Sequence, residues 1–214
     1  MVDITAEIVL FDGFDELDAI GPYEVLENGA HAGASIDVRL VTLEETDLVT
    51  ASHQLRVEPD GTLGDPDLLI VPGGGWTTAN EGVRAVVEDG VLPDAVDERY
   101  ANGATIASVC TGAMILAEAG LLEGRPATTH QVALDDLEAY AANVVEERVV
   151  DGAATAASPA RASGHADDSD VLTAGGVTAG IDLALWLLER EFGDDIASAV
   201  ETEMEHERRG GVFG

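Results

Sequence analysis

Apolar and polar residues change their period several times along this chain of 214 residues, and each change marks an element. Ile4 to Phe11 is a short apolar run ending at Asp12-Gly13, which predicts a first, central strand. Asp15 to Leu26 takes a helical spacing, with Leu17, Ile20 and Val25 near one face and acids elsewhere. Its Gly21-Pro22 pair predicts a break or kink inside that helix. Ile36 to Val41 alternates with period two, as a strand does, and Leu48 to Val57 suits a small extra hairpin. Asp67 to Pro72 is an apolar strand that runs into Gly73-Gly74-Gly75. A helical region follows around Val83 to Tyr100, then a strand-like run at Ala104–Ala107. The last strong helix is Ile181 to Phe192, where Ile181, Ala184, Leu185, Leu188 and Phe192 fall at helical intervals. Apolar strands alternating with amphipathic helices predict an α/β sandwich around a mostly parallel sheet. Sites in that architecture form outside the carboxyl ends of strands, where the Asp12–Asp18 loop, the glycine triplet and Cys110 all fall. One stretch breaks the pattern. Asp151 to Asp170, rich in Ala, Ser, Gly and Asp, is predicted to be a flexible surface insertion between two strands, with no catalytic role although it holds His165.

The only cysteine lies in Ser108-Val109-Cys110-Thr111-Gly112, between a strand-like run and the helix-like run Ala113–Glu118. A small-x-nucleophile-x-Gly turn between strand and helix is the logic of a nucleophile elbow. A helix N-terminus beneath Cys110 favours thiolate over thiol. The alternative is a buried, inert cysteine behaving as a small hydrophobe.

Charge narrows the partners. Acids number 42 against 10 basic residues, all of them arginine, for a formal net charge of −32. The acids are spread along the chain, so this is no disordered acidic tail. Such a field disfavours nucleic acid and anionic membranes as partners. It resembles the surfaces of proteins from salt-accumulating halophiles. One cysteine excludes an intramolecular disulfide and fits a reducing interior. The N-terminus lacks the basic start and long apolar core of a signal peptide, and no run suits a membrane span, so a cytoplasmic chain with one domain over residues 1–214 is expected. No His/Cys/Asp cluster has zinc spacing, and the triplet lacks the Walker lysine and the G-x-G-x-x-G pattern; neither metal nor nucleotide is expected.

Four runs together resemble one family: LDAIGPYEVL (17–26), DLLIVPGGG (67–75), ASVCTGAMILAEAGLLEGRPATTH (107–130) and TAGGVTAGIDLALWLLEREFG (173–193). They look like the ThiJ/PfpI superfamily and, more narrowly, isocyanide hydratases and the sensor-like domains of AraC-type regulators. The resemblance implies a flavodoxin-like three-layer sandwich of the class I glutamine amidotransferase-like kind, a homodimer, no cofactor and a small-molecule substrate. It implies that Cys110 is the nucleophile and that Asp18 is the acid/base touching it; the sequence alone does not choose Asp18 over Asp15, Glu16 or Glu24. Amides near Gly74 and Gly75, with the amide after Cys110, would form an oxyanion-hole-like cradle. Thr111 follows the cysteine where protease-like branches carry His, and its hydroxyl can hydrogen-bond but is no base at neutral pH. His130 matches a histidine near the thiol in other branches. Tyr23 and Trp76 are candidate wall residues, or else core.

The implied reaction is hydration of an isocyanide to an N-formamide through a Cys110 thioimidate. Two rivals stand beside it. One is glyoxalase-like or deglycase-like attack on an aldehyde, for which relatives usually carry Glu at the Asp18 position. The other is a cysteine redox or metabolite sensor.

Overall fold

The computed structural model describes residues 4–152 and 170–214; the stretch predicted as an insertion lies outside them except for Asp151, Gly152 and Asp170. Twelve strands are present among these residues: β1 (Ile4–Val9), β2 (Ile36–Thr42), β3 (Val49–Thr50), β4 (Arg56–Val57), β5 (Gly61–Thr62), β6 (Leu68–Val71), β7 (Thr105–Val109), β8 (Pro126–Ala127), β9 (Asn143–Val144), β10 (Val149–Asp151), β11 (Val171–Ala174) and β12 (Val212–Phe213). Seven helices accompany them: α1 (Glu16–Ala32), α2 (Gly82–Asp89), α3 (Val91–Ala101), α4 (Ala113–Glu118), α5 (Leu134–Ala139), α6 (Ala179–Phe192) and α7 (Asp194–Glu203).

Eight strands form the main sheet in the order β12-β10-β11-β7-β6-β1-β2-β5. Every neighbouring pair is parallel except β10 with β11. β1 lies inside the sheet between β6 and β2, as its apolar run predicts, although Thr5 and Glu7 interrupt that run. Alternate side chains go to opposite layers. Ala6 and Ile8 of β1, Leu68 and Ile70 of β6 and Ala107 and Val109 of β7 join the core beneath α1, α6 and α7. Val9, Leu69, Val71 and Ile106 join the core beneath α2 to α5. The result is the three-layer α/β sandwich with a largely parallel sheet.

Local sequence accounts for the helix that approaches the site. Asp15 caps α1 by accepting the Leu17 N–H at 3.2 Å, and Gly33 ends it in the left-handed region with N–H bonds back into the last turn. The break predicted at Gly21-Pro22 is absent: α1 runs unbroken from Glu16 to Ala32. Gly21 has no Cβ for the proline ring to strike, and Pro22 is buried against the start of α6. The helical region at 83–100 is two helices, divided at Gly90 with φ +79°. The small hairpin expected near 48–57 is present as β3 paired antiparallel with β4.

Candidate active site

β7 delivers Cys110 directly into a turn. Cys110 has φ +56°, the left-handed region that a residue with a side chain seldom occupies. Holding it there costs about 1–3 kcal/mol, which the surrounding packing must offset. The 3-10 turn Cys110–Gly112 follows, then α4. A Cβ on Gly112 would lie 2.3 Å from the Val71 carbonyl oxygen, so only glycine lets the elbow close onto β6.

The acid comes from α1. Four carboxylates were open candidates there, and burial separates them. Glu24 is exposed, Asp15 is spent on the helix cap, and Asp18 is fully buried. Glu16 accepts the backbone N–H groups of His53 and Leu55 and pairs with the His53 ring at 2.7 Å, clasping the β3–β4 hairpin. Burial works against the Glu16 charge, but these hydrogen bonds outweigh it and hold the carboxyl down at about 2. Asp15, Glu16 and His53 bring three ligand-type atoms within 4.8 Å of one another, from positions with no metal spacing in sequence; their hydrogen bonds make them a structural clasp.

Asp18 Oδ2 accepts the Gly73 N–H at 3.0 Å, while Oδ1 is buried with no hydrogen-bond partner among the described residues. The Cys110 thiol neighbours the same carboxyl and interacts with it. Burial, reinforced by the nearby Asp15 charge, pushes Asp18 up to about 8, against the pull of the Gly73 N–H and the thiol. The thiol is also pushed well above its ordinary range, first by burial and then by the Asp18 charge; the Thr111 backbone N–H acts in the opposite sense. The sequence expectation that a helix terminus favours the Cys110 thiolate is opposed by burial beside an acid. α4 is only six residues long and begins three residues after the sulfur, and desolvation beside an acid dominates. Burial thus favours the protonated form of both groups.

The glycine triplet joins acid and elbow. A Cβ on Gly73 would lie 2.7 Å from both Asp18 Oδ2 and the Thr111 nitrogen, so this position admits no side chain. Thr111 Oγ1 accepts the Gly74 N–H at 3.0 Å and donates to the Gly74 carbonyl at 2.8 Å. The Gly74 amide is thus already bonded, and the Gly75 nitrogen abuts Gly82, whose Cβ, if present, would fall 2.4 Å from it. His130 is hydrogen-bonded to neither member of the pair: its Nδ1 accepts the Val132 N–H at 3.2 Å and caps a 3-10 turn. Its neighbour Thr129, which sequence reasoning passed over, donates from Oγ1 to the Cys110 carbonyl at 2.9 Å and holds the elbow from the other side. Only its place beside His130 hinted at it. An open cleft of about 320 Å³ is lined by Thr129, His130, Arg148, Gly175 and Gly176 among others. Trp76 is core, 4 % exposed, and Tyr23 is half-buried against the α1 layer.

Strand-end elbow, single buried cysteine and partnered acid define a cysteine-dependent small-molecule site on a flavodoxin-like sheet. The chain belongs to the DJ-1/PfpI family, which its residues 5–190 match. It is 36% identical over 203 residues to the isonitrile hydratase of Pseudomonas putida, covering 92% of this chain and 76% of that protein. It is 30% identical over 200 residues to the HTH-type transcriptional regulator CdhR of Pseudomonas aeruginosa, covering 91% of this chain and 53% of that protein. A ThiJ/PfpI family protein from Pseudomonas syringae superposes with TM-score 0.78 at 26% identity, covering 98% of this chain and 78% of the other. Elbow and similarity together support cysteine-dependent catalysis of the family type. No helix among the described residues is long and apolar enough to cross a membrane.

Proposed function

We propose that this protein hydrates isocyanides to N-formamides without a cofactor. One observation carries the reading: a buried thiol neighbours a buried carboxyl that burial pushes towards its protonated form, while the Gly74 amide beside them is taken by Thr111. An isocyanide has no carbonyl oxygen, so its first step builds no oxyanion and needs no free amide cradle. Acyl or aldehyde chemistry builds an oxyanion at once and depends on such donors. This favours hydration over aldehyde chemistry and over proteolysis, and it assigns Gly74 and Gly75 to supporting the pair.

The pair reacts after losing one of its two protons. The ionised Asp18 takes the thiol proton as the Cys110 sulfur bonds to the terminal isocyanide carbon, and it delivers that proton to the same carbon, giving a thioimidate R–N=CH–S–Cys110. Water then bonds to the carbon, giving one proton to Asp18, which passes it to nitrogen. Collapse of the N–CH(OH)–S intermediate breaks the C–S bond, returns the hydroxyl proton to Asp18 and releases R–NH–CHO and thiolate. Thr111 and Thr129 hold the elbow through these steps; His130 has no role in them. We further propose a homodimer working in a reducing, ion-rich cytoplasm.

Formamide production from an aryl isocyanide in molar KCl tests the reading. Wild-type turnover with none from Cys110→Ala is expected. A folded protein that makes no formamide, yet still alkylates at Cys110, would sink it. A sulfinate on Cys110 after mild peroxide, again without turnover, would instead point to a redox sensor.

A further inference from the structure

The glycine loop that serves the acid–thiol pair is held from its far side by one arginine. Arg84, in α2, donates its backbone N–H to the Gly75 carbonyl at 3.0 Å and its Nε to the Trp76 carbonyl at 3.2 Å. Its guanidinium also lies over the Trp76 ring, 3.8 Å from the centroid. A terminal nitrogen stands 3.9 Å from Asp136 Oδ2, the oxygen that accepts the Trp76 Nε1–H at 2.7 Å. Trp76 is therefore fixed by face, edge and backbone. Immediately before it in the chain are the groups that bond Asp18 and Thr111.

We infer that Arg84, acting through Trp76 and with Asp136, is a positioning residue for the acid–thiol pair, holding the Gly73 amide on Asp18 and so tuning a carboxyl it does not touch. A loop of three glycines has no side chains of its own to stiffen it. A planar guanidinium suits the task, since it stacks and donates in fixed directions at once, which an ammonium cannot do. The groups acting on Asp18 are the Asp15 charge, the Gly73 N–H and the Cys110 thiol. Arg84 is not among them, so its route to the acid is geometric. Its own charge falls on Asp136 and, with Glu118 and Asp136, on Tyr140. The inference rests on Asp18 being the acid of the proposed reaction, and not on an isocyanide being the substrate.

The test is the pH dependence of Cys110 alkylation by iodoacetamide in molar KCl, for wild type, Arg84→Met and Arg84→Lys, with melting temperatures alongside. In the wild type the first step of the profile falls near the Asp18 value of about 8. Because the Gly73 N–H holds that value down, loosening it moves the step to higher pH, by roughly half a unit to one unit. Arg84→Lys is expected to behave like Arg84→Met, since charge alone does not hold the loop. A melting temperature that falls while the step stays in place would overturn the inference, leaving Arg84 as packing only. Should Arg84→Met fail to fold, Asp136→Ala at its half-exposed site gives the same reading, and an unmoved step there overturns it equally. A wild-type profile with no step, or a step that survives in Asp18→Asn, would sink the acid assignment itself. Failure to hydrate isocyanides leaves these readouts intact.

Discussion

A carboxyl that is fully buried keeps its proton because no water remains to share the charge, and this shapes both chemistry and stability at Asp18. Its value is raised from 3.8 to about 8. Between those limits the folded protein binds a proton that the unfolded chain has released. Stability contributed at this residue is therefore lost as pH rises from about 4 towards 8, with a slope of up to about 1.4 kcal/mol per pH unit. Asp18→Asn keeps the shape and removes the titration. Thermal unfolding should show the variant gaining on wild type as pH rises through that window; a constant difference in melting temperature would contradict the burial argument. The same substitution removes the group whose ionisation near pH 8 activates the thiol, so the corresponding step in Cys110 alkylation should vanish in the variant as turnover is lost. Cys110 and the glycine triplet were legible in sequence because an elbow and a tight strand end leave compositional marks. Asp18 was legible only through resemblance. Four carboxylates within ten residues look alike until burial distinguishes them, and hydroxyl bonds such as Thr129 to the elbow carbonyl depend on packing between segments.

Elements bring these residues together through contacts in which a single methyl matters. Gly112 faces the Val71 carbonyl at the end of β6, and Gly29 of α1 faces Leu188 of α6, where a Cβ would lie 2.5 Å from Leu188 Cδ2. The two contacts differ in what can yield. Leu188 offers the tip of a side chain, whereas Val71 offers backbone held in the ladder with β7. Gly112→Ala is expected to cost about 1–3 kcal/mol, the range for overpacking a rigid site, and to displace the sulfur as well. Urea unfolding checks the first effect and iodoacetamide kinetics the second; a Gly29→Ala variant damaged as badly in both would refute the distinction. The layers and the mostly parallel sheet followed from apolar strands alternating with amphipathic helices, whereas the strand order did not. The buried Glu7 of β1, which accepts the Gly64 N–H, shows that a doubly covered strand need not be apolar throughout. Of the break or kink predicted in α1, the break is absent for a local reason. Proline disrupts a helix through the residue before it as well as through its missing N–H, and here that residue is glycine in a face packed on α6.

For the whole molecule, the question is which electrostatic effect wins as salt changes. Arginine pairs such as Arg208 with Glu189 and Glu201, and Arg190 with Asp151 and Asp170, are weakened by screening. Partly exposed pairs of this kind contribute about 0–1 kcal/mol each. Against them stands a formal net charge of −32, whose repulsion acts among 42 acids at once. The Debye length falls from about 10 Å at 0.1 M to about 3 Å at 1 M, short of most spacings between surface acids but long enough to spare direct pairs. Repulsion is therefore lost first, and salt should stabilise. The melting temperature is expected to rise with KCl, and helical circular dichroism to fall on dialysis into dilute buffer. If screening is the whole cause, most of the gain appears below about 1 M, where the Debye length is still shrinking. A gain that continues into several molar KCl would instead mean that the carboxylates organise hydrated cations. A spectrum and melting temperature indifferent to dialysis would show that the acids are spaced widely enough to need neither.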